Sequence, residues 1–293
     1  MLQISVPATS ANLGPGFDCV GLALDLNNEF YFFESEVAPP PKTTLLRSGS
    51  LVHQGLDLVQ HRYGKKIPAL KIAVKTKIPR ARGLGSSATL TVAGVAAASI
   101  WGELNLSTSE IINLASEIEG HLDNVAPAVI GGLVPAVATP QGIKYLKIIP
   151  PKPLKIIVGV PDFRLSTAAA RNVLPKQVAY TDAIFNTGRF GLLMTALITG
   201  EYQMLPIAMQ DRLHQPYRAP LIPGWEEVIT EINASGALGC CLSGAGPSIL
   251  VFCEQNTDQI SFILENTWRQ QGVKAQTYLL TISLEGMKYC WKD

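Results

Sequence analysis

Residues 79–98 read PRARGLGSSATLTVAGVAAA, and the fold turns on what stands before and after the second glycine. Two glycines and two serines directly precede a long run of small and apolar residues, the pattern of an anion-holding loop opening onto a helix. Gly83 and Gly85 let the backbone come close to an anion, and Ser86 and Ser87 offer hydroxyls. The helix behind them presents its N-terminal amides and the positive end of its dipole. GLGSSA nominally fits the dinucleotide-binding fingerprint, but that device needs a strand ending at the first glycine, and residues 76–82 intervene. No Gly-Lys-Ser/Thr ends the loop, so it is not a Walker A loop either. A triphosphate is the natural guest of what remains; the bland alternative is a tight turn with a helix cap.

Working outward, residues 2–6 alternate as a strand, SANLGPGFD interrupts as a structured loop, and a strand pair is expected around residues 20–33. Residues 51–63 have helical spacing and 70–74 alternate as a strand. The helix after the glycine-serine loop should end near Trp101. Ser107 and Glu110 form a capping-box signature for a helix that stops near Gly120. Strands are expected at 132–138, 143–149 and 155–160, and a mostly helical stretch at 166–212. Two strands should meet at LSGAGPS, followed by a helix at 259–268 and a final strand at 275–282. The break IPPKP divides the chain into domains 1–150 and 151–293.

Composition narrows the function. Of 293 residues, 47% are hydrophobic and 16% charged, with a net charge of +1, a balance that argues against a disordered or nucleic-acid-coating chain, so a bound anion must be recognised locally. The five cysteines lack CxxC spacing and nearby histidine pairs, so neither a disulfide framework nor a zinc site is expected. No basic leader or membrane-length apolar run is apparent, which suggests a cytoplasmic, soluble protein with no membrane partner. Lys71, Lys75, Lys77, Arg80 and Arg82 lack the interleaved aromatics of a single-strand nucleic-acid binder and read as a solvated strand face.

Three other segments bear on the loop. PATSANLGPGFDCVGLAL holds Asn12 and Asp18, which read either as turn-forming residues or as polar groups aimed at a ligand. CCLSGAGPSILVF places Gly244 and Gly246 between strand-like runs, as a hairpin turn or a second backbone nest. EIEGHLDNVAPAVIGG carries Glu117, Glu119, His121, Asp123 and Asn124. Glu117 and His121 would share a face if the helix continued past Gly120, and a carboxylate there suits Mg2+, a hard cation.

Together these motifs resemble the GHMP kinase superfamily, from the P-x-x-x-G-L-G-S-S-A loop at 79–88 to SGAGPS at 243–248. The resemblance implies an α+β, two-lobed GHMP kinase fold, with an N-terminal ribosomal-protein-like lobe holding most of the ATP site and a C-terminal ferredoxin-like lobe. Within it, VPATSANLGPGFDCVGLAL, GHLDNVAPAVIGG, STAAARNVLP and QPYRAPLIPG look like segments of the homoserine kinases. That implies ATP-dependent phosphorylation of the L-homoserine side-chain hydroxyl, a step towards threonine; the alternatives are another small-molecule kinase of the superfamily, of mevalonate or shikimate type, or a nucleotide-binding regulator without turnover on the same fold.

The resemblance also implies roles. Pro79, Arg80, Ala81, Arg82, Gly83, Leu84, Gly85, Ser86, Ser87, Ala88 and Thr89, with Gly244 and Gly246, would hold the nucleotide. Ser87 and Glu117 would hold Mg2+, with Glu119 not separable from Glu117 by motif. Arg171 and Arg218 match substrate-binding arginines, and a guanidinium is the tool for gripping a carboxylate with two parallel bonds. Asp18, supported by Asn12, would take the ammonium, and His121 and Asn124 the hydroxyl. Thr167, four residues before Arg171, would reach the transferred phosphoryl, so Thr167, Asn124 and Glu117 are assigned to transition-state support. Asp123 is the nearest candidate base, and the base is left unassigned. Where the family carries an adenine-side asparagine this chain has Ser50. A homodimer follows family habit.

Overall fold

Alternation in the first strand, β1 (Leu2–Ala11), sets the architecture: Leu2, Ile4 and Val6 point inward and are fully buried while Gln3 and Ser5 are partly exposed. The computed structural model describes residues 1–34 and 36–292. β1 pairs antiparallel with β2 (Val20–Phe33), whose Phe30 and Phe32 join the same inner face. The expected strand pair at 20–33 is instead one strand of 14 residues with an irregularity opposite Pro7/Ala8. Its length serves two partners. Residues 29–33 pair with β4 (Lys71–Lys75), and 20–22 pair with β5 (Leu133–Thr139). Two short strands, β3 (Thr44–Leu45) against β4 and β6 (Gly142–Tyr145) against β5, extend the sheet.

Four helices cover this sheet: α1 (Leu51–Tyr63), α2 (Ser86–Trp101), α3 (Thr108–Glu119) and α4 (Val125–Ile130). Helix α2 has no polar face because it runs through the middle of the core, with Ala88, Val92, Ala93, Val95 and Ala96 all buried among strands and helices. Helix α3 begins at the capping box: the Ser107 hydroxyl accepts from the Glu110 amide, and the Glu110 carboxylate accepts from the Ser107 amide at 2.8 Å.

The second lobe is an antiparallel sheet of β7 (Lys155–Pro161), β8 (Gly239–Leu242), β9 (Ile249–Cys253) and β10 (Ala275–Leu280), in the order β10-β7-β9-β8. The chain inserts α5 (Thr167–Asn172), α6 (Tyr180–Thr199), α7 (Leu205–Ala208) and α8 (Gln215–Arg218) after β7. It then continues with α9 (Trp225–Ala234), β8, β9, α10 (Thr257–Gln270) and β10. Without the insertion this is the βαββαβ order of a ferredoxin-like lobe. One face of the sheet packs Ile157, Ile249 and Val251 on α9 and α10 around Trp268. The other packs Ile156, Val158, Leu250 and Phe252 against α6 and against Ala8, Leu22 and Leu24 of the first lobe. The two lobes thus share one apolar seam.

The chain crosses back at its end. β10 is not the last strand: β11 (Lys288–Trp291) pairs antiparallel with residues 2–5 of β1, so the C-terminal strand belongs to the first sheet. No helix among the described residues is long and apolar enough to cross a membrane.

Candidate active site

The glycine-serine loop lies where the lobes meet. Ala81, Gly83 and Gly85 all have positive φ (54°, 74° and 63°), and Gly85 is the N-cap of α2 with no side-chain cap. A Cβ on Gly83 would run into the Ser243 carbonyl, and one on Gly85 into the Thr9 hydroxyl. The loop therefore has room for backbone only. The first amides of α2 lack intrahelical acceptors, and its first turn holds no acid, so both amides and dipole are open to an anion. Buried Asn28 steadies the approach, its Oδ1 accepting from the Lys77 and Ile78 amides at 2.9 and 3.1 Å. The second glycine loop seals against the first, the Ser243 hydroxyl donating to the Gly83 carbonyl at 2.6 Å.

Beside α2 stands an acidic group. The Glu119 carboxylate accepts from the Ser87 hydroxyl at 2.8 Å and the Thr91 hydroxyl at 2.7 Å, and its side chain is 5% exposed. Glu117, assigned to the metal and to transition-state support, points elsewhere: its carboxylate pairs with Arg62 at 2.7 Å on the outer surface. The reason is helical rotation. Residues two apart on a helix of 3.6 residues per turn point to nearly opposite sides, and α3 ends at Gly120, which is left-handed. Glu117 and His121 therefore do not share a helix face.

Past Gly120 the chain places His121 Nδ1 2.9 Å from buried Asp123, an ion-pair contact without hydrogen-bond geometry, and Nε2 3.9 Å from Glu119. Burial works against the imidazolium, but the two carboxylates outweigh it and raise the pKa above the usual 6.5. Asn124 is held at both ends: its Oδ1 accepts from Thr9 at 2.8 Å and its Nδ2 donates to Asp123 at 3.3 Å.

Opposite these groups lie the arginines. Arg171 grips Asp18 through two bonds of 2.9 and 2.7 Å, both side chains being about one-third exposed (38% and 36%). Asp18 sits on a loop whose Asn12 accepts from the Asp18 amide at 3.0 Å and donates to the Gly244 carbonyl at 2.9 Å. Arg218 is buried, and burial together with the Arg171 charge pushes its guanidinium down to about 10, still a cation at neutral pH. Both guanidiniums lie over the Phe17 ring, at 5.5 and 5.1 Å from its centre, a cation–π arrangement.

One cleft of about 290 Å³ gathers Asn12, Asp18, Arg80 through Ser87, His121, Asn124, Thr167, Arg171, Arg218, Gly244 and Gly246. Of the site residues expected from the sequence, Pro79, Ala88, Thr89, Glu117 and Glu119 are not among its walls, Glu119 reaching it only through its bond from Ser87. Ala88 and Thr89 are buried beneath the loop, where the Thr89 hydroxyl donates to the Ser86 carbonyl at 2.9 Å. Ser50 stands at the start of α1 with its hydroxyl 2.8 Å from His53 Nδ1, outside the cleft. Sequence reasoning passed over Thr9, Phe17 and Asn28, which have no motif spacing. It also passed over Asp211 and His214, whose signal is an acid shortly before a helix with Pro216 in its first turn.

A two-lobed fold of this topology, with an uncapped helix behind a glycine-serine loop, defines a GHMP kinase. Residues 50–132 match the family model for the GHMP kinases N terminal domain and 193–270 that for the GHMP kinases C terminal. More narrowly, the chain belongs to the homoserine kinase family. Homoserine kinase of Caldicellulosiruptor saccharolyticus is 44% identical over 264 residues, 88% of this chain and 86% of its own. That of Nostoc punctiforme is 38% identical over 98% of this chain and 97% of its own. The crystal structure of homoserine kinase from Cytophaga hutchinsonii superposes with a TM-score of 0.83 at 27% identity, covering 99% of this chain and 97% of that one. A mevalonate kinase, at 16% identity and a TM-score of 0.68, shares the fold.

Proposed function

We propose that the chain transfers the γ-phosphoryl group of ATP to the side-chain hydroxyl of L-homoserine, giving O-phospho-L-homoserine. The observation carrying this reading is that Asp18, Arg171 and Arg218, the partners an α-amino acid needs, line the same cleft as the uncapped N-terminus of α2. An acceptor without an ammonium would leave Asp18 only its pairing with Arg171.

The substrate carboxylate docks on Arg218 and Arg171, and its ammonium takes the Asp18 carboxylate in place of part of the Arg171 fork. Asn124, locked between Thr9 and Asp123, orients the hydroxyl together with His121. Thr167, at the start of α5, faces the transferred phosphoryl from the other wall. The loop amides and α2 dipole hold the phosphates. Cβ-free Gly83 and Gly85 supply a cradle of the kind a triphosphate needs. Mg2+ fits the hard oxygen donors of Ser87 and Glu119, which replace the Ser87–Glu117 pair expected from motif, and when bound it neutralises phosphate charge. Phosphoryl transfer through a loose transition state depends on positioning and charge neutralisation more than on a strong base, and no residue is assigned that role. A homodimer is part of this reading by family likeness and a cytoplasmic location by the sequence reading above, and light scattering tests the dimer.

The test is ADP release from ATP and Mg2+ with purified protein against L-homoserine, L-threonine, mevalonate, shikimate, galactose and no acceptor. Turnover confined to homoserine supports the reading. Turnover with another acceptor instead overturns the roles of Asp18, Arg171 and Arg218.

A further inference from the structure

His214 is fully buried, belongs to no motif and touches the acceptor end of the cleft through its neighbours. Its Nε2 lies 2.7 Å from the Gly14 carbonyl. A carbonyl only accepts, so Nε2 carries the proton and Nδ1 is left as an acceptor. Nδ1 faces Arg218 Nη1 at 3.2 Å, so the arginine donates to it. Asp211 is not the hydrogen-bond partner of the His214 imidazole. Its carboxylate already accepts from the amides of residues 213, 214 and 215 and from Asn186 Nδ2, and it stands 3.6 Å from Nε2.

The donor inventory of Arg218 gives this contact its consequence. A guanidinium has five N–H donors. Nε donates to the Ala170 carbonyl at 3.1 Å, and Nη1 donates to His214 and to the Gly244 carbonyl at 3.1 Å. Both Nη2 hydrogens lack an acceptor among the described residues, and Arg218 is a wall of the cleft. The histidine also stacks on Phe17, with ring centres 5.2 Å apart, and through Gly14 it holds the loop that carries Asp18. One side chain therefore ties the arginine and the carboxylate into a fixed spacing.

We propose that His214, as the neutral Nε2–H tautomer, is a positioning residue for the acceptor: it turns the Nη2 edge of Arg218 toward the carboxylate of an α-amino acid and sets that edge in register with Asp18. This inference rests on the homoserine reading above. The alternative is that His214 merely fills the core.

The experiment compares His214→Asn and His214→Gln by steady-state kinetics, with thermal melts confirming folding. Asn places an acceptor near the position of Nδ1, and Gln places a donor near that of Nε2. His214→Gln is expected to raise the homoserine KM by about tenfold or more, the loss of one buried hydrogen bond to a charged group. His214→Asn should stay within about threefold of the parent by retaining that bond, with the ATP KM steady in both. Equal impairment of the two variants, or ATP and homoserine KM rising together, overturns the inference. 15N-edited NMR of the unaltered protein reads the tautomer whether or not a variant folds: Nε2–H supports it and Nδ1–H sinks it. Absence of homoserine turnover in the parent protein would instead count against the proposed function, with the tautomer still reporting on the geometry.

Discussion

At the scale of single residues, the cleft separates groups that act by geometry from groups that act by charge. Arg218 acts by geometry, since three of its donors are fixed on Ala170, His214 and Gly244 and its Nη2 pair is left without an acceptor among the described residues, in a side chain that lines the cleft. Lysine keeps the charge but cannot reproduce the fork. Arg218→Lys should therefore raise the homoserine KM roughly 30-fold or more, equivalent to about 2 kcal/mol, while ATP binding measured by calorimetry holds; an unchanged KM would remove the residue from the acceptor site. His121 is held among charges, with Asp123 and Glu119 beside its ring. Because its folded pKa lies above the 6.5 of the free side chain, its contribution to stability is fully present below that value and is lost as pH rises through the folded value. Histidine NMR titration should find a pKa above 6.5 in the parent protein and a lower one in Asp123→Asn, which keeps the size of the side chain and removes its charge. A parent value at or below 6.5 would contradict the assignment.

At the scale of elements, two helix starts make a contrast. Helix α3 begins at an exposed capping box serving only the helix, so Ser107→Ala should cost about 1 kcal/mol in urea unfolding and leave turnover untouched. Helix α2 begins at Gly85 with φ at 63° and the Asn124 amide oxygen 3.1 Å from where a Cβ would sit. Gly85→Ala should cost at least about 2 kcal/mol and, on the proposed function, also weaken ATP binding, because relieving the clash moves the amides proposed to meet the phosphates. Loss of stability with intact ATP affinity would show that the loop tolerates the shift. These starts were legible in the sequence because caps and glycine loops are local signals, as were α1 and the strands at the SGAGPS loop. Choosing between Glu119 and Glu117 was not, since it depends on where α3 stops relative to α2, a tertiary fact. Likewise Asn28 acts through the Lys77 amide 49 positions on, and His214 joins Arg218, four positions on, to Gly14, 200 positions back, and no local pattern encodes the longer separations.

At the scale of the whole molecule, the chain's end closes on its beginning. β7 opens the second sheet just after IPPKP, but β11 returns to the first sheet, and KYCW is too short and too exposed to read as a strand without its partner β1. β11 pairs with residues 2–5, Met1 and Lys292 bond each other's backbones, and Trp291 meets Trp101 edge-on at 5.1 Å. The cleft lies at the other end of β1: from Ser5 to Asn12 is seven residues, about 23 Å at 3.3 Å per residue. A chain ending at Met287 should therefore lose a few ladder bonds at about 1 kcal/mol each and melt about 5–15 °C lower, with its near-UV tryptophan signal altered. Below that melting point its KM for homoserine and for ATP should match the full chain. An unchanged melting temperature would mean that β11 adds nothing to the first lobe, and a raised KM would mean that strain at the sheet edge travels the length of β1 to the acceptor loop.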